Sequence, residues 1–239
     1  MMSFNYDIMA VGAHPDDVEI GMGGTIAKYS RLDKKVVIIN LTEAELSSNG
    51  TVETRQKEAE KACERLGVQT RVQLRFPDRG LLESRQKAID EIVKLIRHYR
   101  PRLVFAPFHQ DRHPDHGHCG DICREAVFSA TIKKYLPQES NDRFQVQALY
   151  YYQINGSSQP DFLIDISDDK ETKYSALACF KSQFNNETNS LKTPLNSGYI
   201  DLLQAREQLL GSEAGTIAAE GFFCEKPPLI HDLLGDIIK

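Results

Sequence analysis

Short apolar runs alternate with longer segments whose apolar residues recur at helical spacing in the first half of the chain. Such runs are typical of strands buried on both faces of a sheet. They occupy residues 8–12, 35–41, 72–76 and 103–106. The helical patterns between them occupy residues 25–32, 51–66 and 86–99. Thr51 is the expected N-cap of the second helix, and Gly67 is its expected C-cap.

The second half of the chain follows a less regular pattern. Strands are predicted at residues 147–154 and 162–166, and helices at residues 171–184 and 201–210. Repeated strand–helix units imply parallel strands whose crossover helices cover both faces of one sheet. We therefore expect a single α/β domain over residues 1–239. Its fold should be a Rossmann-like, doubly wound, mainly parallel sheet with an irregular C-terminal extension.

Composition narrows the class of protein. The chain has 29 Lys and Arg residues against 34 Asp and Glu residues, a formal net charge of −5, and no basic block that would bind nucleic acid. No apolar run approaches the roughly 18 residues of a membrane span, and the first residues do not resemble a secretory leader. Five scattered cysteines argue for a reducing compartment. We expect a cytoplasmic protein without nucleic-acid or membrane partners.

Polar loops follow the predicted strands where such sheets bind ligands, beyond the carboxyl ends of the strands. After the first strand, His14 and Asp17 are three residues apart, so that imidazole and carboxylate can converge while Asp16 points elsewhere. The alternative for this loop is a polar turn with a helix N-cap. After the fourth strand, His113 and His116 belong to a run of three histidines in six residues, for which a solvated loop is the alternative.

A histidine and a carboxylate from the first loop with a histidine from the second make three protein ligands. Three ligands leave an open coordination position, as in catalytic zinc sites. Asp16 and His113 are then spare groups, suited to act as base and electrophilic stabiliser in metal-assisted hydrolysis. The same ligand set also describes non-haem iron oxygenases. Cys119 and Cys123 could be competing thiolate ligands, but we expect both to be packing residues.

Glycines at residues 21, 23 and 24 raise the alternative of a nucleotide-binding module. A dinucleotide fingerprint, however, places G-x-G-x-x-G directly after the first strand. That place is taken here by Gly12 and the acidic loop that follows it, whose carboxylates would repel a pyrophosphate. The glycines are expected instead to allow a close approach of backbone near the site.

Several motifs resemble the LmbE/PIG-L family of metal-dependent N-acetylglucosaminyl deacetylases. They are His14-Pro15-Asp16-Asp17-x-Glu19, Thr54-Arg55-x-x-Glu58, Pro77-Asp78-Arg79-Gly80-Leu81 and His113-Pro114-Asp115-His116. The resemblance implies that His14, Asp17 and His116 bind the metal. It also implies a general base at Asp16 and an acid or oxyanion stabiliser, expected to be protonated, at His113. The implied metal is Zn²⁺, with Fe²⁺ or another divalent ion as alternatives.

Further stretches resemble the members of that family that deacetylate N-acetylglucosaminyl-malate in bacillithiol biosynthesis. They are residues 46–51, Lys192-Thr193-Pro194-Leu195 and Ala219-Glu220-Gly221-Phe222. Arginines in the loops suit a dicarboxylate such as malate, because guanidinium pairs with carboxylate in a bidentate geometry. The expected substrate-binding residues are Arg55, Asp78, Arg112, Ser48, Asn49, Arg143 and Tyr199. Another N-acetylglucosamine conjugate is the alternative substrate, and the resemblance implies a homo-oligomer, a trimer or a hexamer.

Overall fold

Seven strands form one continuous sheet in the computed structural model, which describes residues 4–137, 142–185 and 190–230. The strands are β1 (Tyr6–Gly12), β2 (Val36–Thr42), β3 (Thr70–Phe76), β4 (Pro101–Pro107), β5 (Ala148–Tyr152), β6 (Phe162–Asp165) and β7 (Ala219–Cys224). Their order across the sheet is β3-β2-β1-β4-β5-β7-β6. The first five strands pair in parallel, whereas β7 runs antiparallel to both β5 and β6.

The strand order reverses between β1 and β4. From β1 the chain proceeds outward through β2 to β3, then returns to place β4 on the other side of β1. A reversal of this kind opens a crevice at the carboxyl ends of the two central strands, where doubly wound sheets bind ligands. The predicted doubly wound, mainly parallel sheet is therefore confirmed.

Helices cover both faces of the sheet. They are α1 (Asp17–Arg31), α2 (Val52–Leu66), α3 (Arg85–Tyr99), α4 (Pro114–Ala130), α5 (Lys170–Leu177), α6 (Lys181–Phe184) and α7 (Tyr199–Ala214). Along β1, Met9 and Val11 face the core that contains α3 and α4, while Ile8 and Ala10 face the core that contains α1, α2 and α5. This alternation is the two-residue period of a strand, with apolar residues on both faces.

The ends of α2 are as the sequence predicts. The Thr51 hydroxyl accepts a hydrogen bond from the backbone N–H of Thr54, and Gly67 adopts the left-handed conformation with φ 70°. A side-chain N-cap of this type contributes about 1 kcal/mol to helix stability. Cys119 and Cys123 are both buried among apolar residues of α4, as expected for packing cysteines.

Three elements differ from the prediction. Helix α1 begins at Asp17 rather than at residue 25 and is interrupted at Met22. The helix predicted at residues 171–184 is divided into α5 and α6, with Phe180 outside both. The C-terminal part is more regular than predicted, because β7 inserts between β5 and β6 and extends the sheet. Among the described residues, no helix is long and apolar enough to span a bilayer.

Candidate active site

Loops at the carboxyl ends of β1, β2, β3 and β4 surround a cavity of about 500 Å³. His14 follows β1, and both His113 and His116 follow β4, the neighbouring strand across the reversal of strand order. The parallel pairing of β1 with β4 thus brings together residues that are about a hundred positions apart in the chain. The cavity lies where an α/β sheet of this topology is expected to bind its ligand.

The three histidines form one cluster. A ring nitrogen from each of His14, His113 and His116 lies within 4.8 Å of a ring nitrogen of the others. Asp17 lies between two of them: its Oδ2 is 3.4 Å from Nδ1 of His14, and its Oδ1 is 3.2 Å from Nε2 of His116. The backbone N–H of His14 also donates to Oδ2 of Asp17, at 2.8 Å. The strand–turn–helix geometry of β1 and α1 therefore brings His14 and Asp17 together, as their spacing predicts.

Two further carboxylates lie close to His14 and His116, each at the outer ring nitrogen, which is the nitrogen farther from Asp17. Oδ1 of Asp78 is 3.1 Å from Nε2 of His14, and Oδ1 of Asp111 is 2.9 Å from Nδ1 of His116. A carboxylate in this position holds a proton on the outer nitrogen and leaves the inner nitrogen free to bind a metal. The sequence assigns no role to Asp111, although its position two residues before His113, in the loop after β4, was an available signal.

Electrostatics in the cluster favour a positive charge. Burial acts to lower the pKa of His14, but Asp17 and Asp78 outweigh it and raise the pKa to about 9. Burial likewise opposes the effect of Asp17 and Asp111 on His116, whose pKa rises to about 10. Burial acts to raise the pKa of Asp17, yet His116 and His14 hold it well below its ordinary value. The carboxylates thus stabilise cationic charge between them.

The cluster fits a divalent transition metal. Imidazole nitrogens and carboxylate oxygens are the donors that Zn²⁺ and Fe²⁺ accept, and the ring nitrogens are close enough to share one ion. Nδ1 of His113 is buried without a hydrogen-bond partner among the described residues. His113 therefore joins His14 and His116 as a geometrically available donor, alongside Asp17.

Asp16 occupies the N-cap position of α1 in the left-handed region, with φ 110°. A non-glycine residue at such an angle carries backbone strain, which surrounding contacts must hold in place. Burial raises the pKa of the Asp16 carboxyl to about 6, although the nearby Arg55 acts to lower it. A carboxylate whose pKa lies close to neutral pH is suited to accept and return a proton.

Arg55 is buried beneath Asp16 rather than free in the cavity. Its guanidinium lies 3.1 Å from Oδ2 of Asp16, donates to Oγ of Ser47 at 3.0 Å and donates to the carbonyl of Pro15. Only 2% of the Arg55 surface is exposed. These contacts fix the turn that carries Asp16, so the structure gives Arg55 a role in positioning besides the substrate contact expected from the sequence.

His113 differs electrostatically from the other two histidines. Burial lowers the pKa of His113, and the neighbouring His14 and His116 lower it further. Its ring stacks on that of His116, with centroids 4.8 Å apart. A lowered pKa favours the neutral imidazole, so His113 would act through an N–H group or a ring lone pair rather than as the protonated group expected from the sequence.

Asp115, two residues after His113, is buried and contacts the backbone of another loop. Its Oδ2 accepts a hydrogen bond from the backbone N–H of Arg79 at 2.6 Å, which ties the loop after β3 to the first turn of α4. The carboxylate that lies against the outer ring nitrogen is Asp78 for His14 and Asp111 for His116.

The residues expected to bind substrate fall into three groups. Those bordering the cavity are Ser48, Arg55, Asp78 and Arg112, of which Ser48 and Arg112 are exposed. Asn49 and Tyr199 instead hold the surrounding segments: Asn49 exchanges hydrogen bonds with the backbone of Leu191, and the Tyr199 hydroxyl donates to the carbonyl of Ile154. Arg143 is not brought to the cavity.

Arg143 is exposed and precedes β5, next to Phe144, whose N–H donates to the carbonyl of Ala130 at the end of α4. This places Arg143 at the amino ends of the strands, whereas the cavity lies at their carboxyl ends. The reason is topological: the segment that follows a crossover helix enters the sheet at the edge opposite the ligand site. The arginines of the cavity are Arg55, Arg79 and Arg112.

Fold and site together define an α/β protein with a buried histidine–aspartate cluster suited to metal-assisted hydrolysis. Comparison with known proteins defines the family. The family model described as "PIG-L: GlcNAc-PI de-N-acetylase" matches residues 9–127. The diacetylchitobiose deacetylase of Thermococcus kodakarensis is 32% identical over 200 residues, which cover 78% of this chain and 73% of the relative. The chain belongs to the PIG-L/LmbE family of deacetylases.

Two other similarities extend this finding. The crystal structure of the conserved protein TT1542 from Thermus thermophilus superimposes with a TM-score of 0.86 at 32% identity, covering 94% of this chain and 97% of that chain. A Bacillus cereus protein named "Probable N-acetyl-alpha-D-glucosaminyl L-malate deacetylase 2" is 28% identical over 189 residues, 74% of this chain and 83% of the relative. The fold and the family predicted from the sequence are therefore confirmed.

Proposed function

We propose that this protein is a zinc-dependent hydrolase that removes the acetyl group from N-acetyl-α-D-glucosaminyl L-malate. The products are glucosaminyl-malate and acetate, within bacillithiol biosynthesis in the cytoplasm. The observation that carries the proposal is the position of Asp16, a buried carboxylate of raised pKa beside the histidine–aspartate cluster in one cavity. A proton acceptor next to a candidate metal site is the arrangement that amide hydrolysis requires.

His14, Asp17 and His116 would hold the metal, with Asp78 and Asp111 fixing the two imidazoles. When bound, a divalent ion supplies Lewis acidity that polarises the acetyl carbonyl and makes water more acidic. Zn²⁺ is our first choice because three ligands of this type leave an open position in catalytic zinc sites, and Fe²⁺ fits the same donors.

Three residues of the chain have separate roles in the proposed reaction. Asp16 accepts a proton from the attacking water and later returns it to the departing amine of the sugar. Arg55 holds the Asp16 carboxylate at 3.1 Å and keeps the preceding turn in place. His113 borders the same cavity from the N-cap position of α4 and stabilises the oxygen that becomes negative in the tetrahedral intermediate.

The malate part of the substrate is proposed from the positive charge of the cavity rim, the exposed edge formed by Arg79 and Arg112. Arg79 and Arg112 are exposed arginines that border the cavity, and Ser48 adds a hydroxyl beside them. An arginine can bind a carboxylate through two parallel hydrogen bonds, which orients as well as attracts it. Ile154 and Leu195 also line the cavity and offer apolar surface for the face of a sugar. The relative from Bacillus cereus, which carries the malate substrate in its name, supports this choice.

The decisive experiment measures acetate release from N-acetylglucosaminyl-malate, before and after removal and restoration of Zn²⁺. We expect release that is lost with the metal and recovered on its return, with a kcat/KM well above that for free N-acetylglucosamine. Equal kcat/KM for the two compounds would contradict the malate assignment, and metal-independent release would contradict the mechanism. Oxygen consumption in the same assay would indicate oxygenase chemistry instead.

Diacetylchitobiose is the second candidate substrate. It is favoured by the 32% identity to the deacetylase of Thermococcus kodakarensis, which is higher than the 28% identity to the Bacillus cereus protein. Diacetylchitobiose has no carboxylate, so it would leave the arginines of the rim without a charged partner. The same assay with this disaccharide separates the two substrates directly.

We also propose that the protein forms a homo-oligomer. Leu202 and Leu209 are more than half exposed on α7, and Ile217 is similarly exposed just after this helix. Exposed apolar side chains grouped on one element are typical of contact surfaces between subunits. Light scattering coupled to size-exclusion chromatography should give a mass of three or six chains, and a mass of one chain would contradict the proposal.

A further inference from the structure

Helix α1 carries Asp17 in its first turn and is broken one turn later. Met22 lies inside the helix but has non-helical angles, φ −149° and ψ 23°. In an unbroken α-helix the N–H of Gly24 would donate to the carbonyl of Ile20, four residues earlier. At the break, both of these backbone groups are bound by side chains from other parts of the chain.

The side chains at the break form a buried ion pair. The N–H groups of Gly24 and Thr25 donate to the two carboxylate oxygens of Glu220, at 2.9 and 2.7 Å. On the other side, Nζ of Lys173 donates to the carbonyl of Ile20 at 2.7 Å and to Oε1 of Glu220 at 2.6 Å. The pair thus replaces one helical hydrogen bond, with the lysine serving the acceptor and the glutamate serving the donor.

The glycines that the sequence singles out make room for this arrangement. A Cβ atom at residue 23 would lie 3.1 Å from Cγ of Lys173, and one at residue 24 would lie 2.8 Å from Cδ1 of Ile166. At residue 21 a Cβ would overlap the ring of Tyr152, at 2.0 Å. The glycine run thus allows close contact between α1 and its neighbours, and phosphate binding is not needed to explain it.

Because the ion pair is buried, the loss of any one of its charges should be unfavourable. Lys173 is fully buried and Glu220 is 2% exposed. A second carboxylate, Glu207, lies 2.5 Å from Nζ of Lys173 and accepts from the Tyr174 hydroxyl. Removal of one member of a buried charged group leaves its partners uncompensated, which is strongly unfavourable. Of these three charged residues, Glu220 and Lys173 bond to the backbone of α1, whereas Glu207 bonds to side chains of α5.

We propose that Lys173 and Glu220 are positioning residues of the metal site. By holding the break at Met22 they set the direction of the first turn of α1, which presents Asp17 to the histidines and Ile20 to the cavity. Neither residue is among those that line the cavity, so both would act through Asp17. The inference rests on the proposed function, in which Asp17 is a metal ligand.

The test compares Glu220→Gln with Glu207→Gln, the same chemical change at two carboxylates that share one lysine. Both variants remove a charge from the buried group, but only Glu220→Gln alters the bonds to α1. Zn²⁺ affinity is measured by competition with a chromophoric chelator, on protein shown to be folded by circular dichroism. We expect Glu220→Gln to weaken Zn²⁺ binding by about 10-fold, as for residues that orient metal ligands, and Glu207→Gln to leave it within about 2-fold of the unaltered protein.

A milder variant covers the case in which Glu220→Gln does not fold. Gly23→Ala pushes on the stem of Lys173 without a change of charge, and alanine is ordinarily preferred to glycine within a helix. We expect weaker Zn²⁺ binding and a lower kcat with little change in KM. Unchanged Zn²⁺ affinity in Gly23→Ala and Glu220→Gln, or equal losses in Glu220→Gln and Glu207→Gln, would overturn the proposal. The affinity measurement is independent of acetate release, so a failure of the proposed reaction would be seen separately in the unaltered protein.

Discussion

Oδ1 of Asp111 lies 2.9 Å from Nδ1 of His116, on the side of the ring that faces away from Asp17. The same carboxylate accepts hydrogen bonds from the backbone N–H groups of His113 and Asn155. Asp111 therefore links the loop after β4 to the segment after β5 while it orients one imidazole of the cluster. Among the aspartates of the site, Asp111 is the one that no sequence motif indicated.

Asp111→Ala should weaken metal binding by about 10- to 100-fold, because the ring of His116 loses the acceptor that orients it. Asp111→Asn retains an oxygen that can accept the ring N–H, so its loss should be smaller. Metal content by mass spectrometry after dialysis against a weak chelator measures both effects. Asp121→Ala, at a half-buried aspartate of α4 that pairs with Arg124, provides the control and should keep full metal content. Equal metal content in Asp111→Ala and the control would contradict the assigned role.

Substitutions at the adjacent Asp16 and Asp17 should separate metal binding from catalytic turnover. Asp16→Asn should retain the metal but lower kcat by about 100- to 10,000-fold, since the proton acceptor is removed while the cluster is intact. Asp17→Asn should lose metal together with activity, as should His14→Ala and His116→Ala. Metal analysis and acetate release on the same preparations distinguish the variants. If Asp16→Asn lost the metal and Asp17→Asn kept it, the two roles would be reversed.

His113 tests whether the cluster uses a third imidazole as a ligand. Its ring nitrogen is as close to those of His14 and His116 as a shared ion requires, yet the proposed mechanism leaves it to stabilise the oxyanion. His113→Ala should therefore keep most of its bound metal. Its kcat should fall by about 100- to 1,000-fold, the usual effect of losing one hydrogen-bond donor to an oxyanion. Loss of metal in step with that of His14→Ala would make His113 a ligand.

The meeting of His14 with His116 follows from features that a sequence contains. Strand–helix repetition fixes parallel strands, and parallel strands place the loops that follow them at one edge of the sheet. The three-residue spacing of His14 and Asp17 across a strand–turn–helix is likewise local. For these reasons the core of the site could be predicted from the order and spacing of residues alone.

The supporting contacts depend on packing and could not be predicted in the same way. Asp78 is 64 residues from His14, and Glu220 is 196 residues from Gly24. No periodicity or spacing connects such pairs, because each depends on where a side chain points once the cores have formed. The position of the Arg55 side chain is a similar case. The sequence alone does not distinguish a buried contact with Asp16 from a free position in the cavity.

Thiol reactivity tests the packing of the two cores. All five cysteines are free, and Cys63, Cys119 and Cys123 are buried. Burial raises the pKa of Cys63 and of Cys119, which disfavours the reactive thiolate. An aromatic disulfide reagent should thus label two thiols in the native protein, the half-buried Cys179 and Cys224, and five after denaturation. Rapid labelling of Cys119 or Cys123, detected by peptide mapping, would show that α4 does not pack as described.

Arg112→Ala tests the acidic substrate most directly, because Arg112 is exposed at the cavity rim and Arg143 offers a matched control. A hydrogen bond to a charged group contributes about 1.5–3 kcal/mol, equivalent to about 10- to 100-fold in kcat/KM. Arg112→Ala should lower kcat/KM for N-acetylglucosaminyl-malate by this factor and leave that for diacetylchitobiose nearly unchanged. Arg143→Ala, at the opposite edge of the sheet, should alter neither value. Because both variants remove one positive charge, a loss shared equally between them would indicate long-range attraction of an anion rather than a contact at the rim.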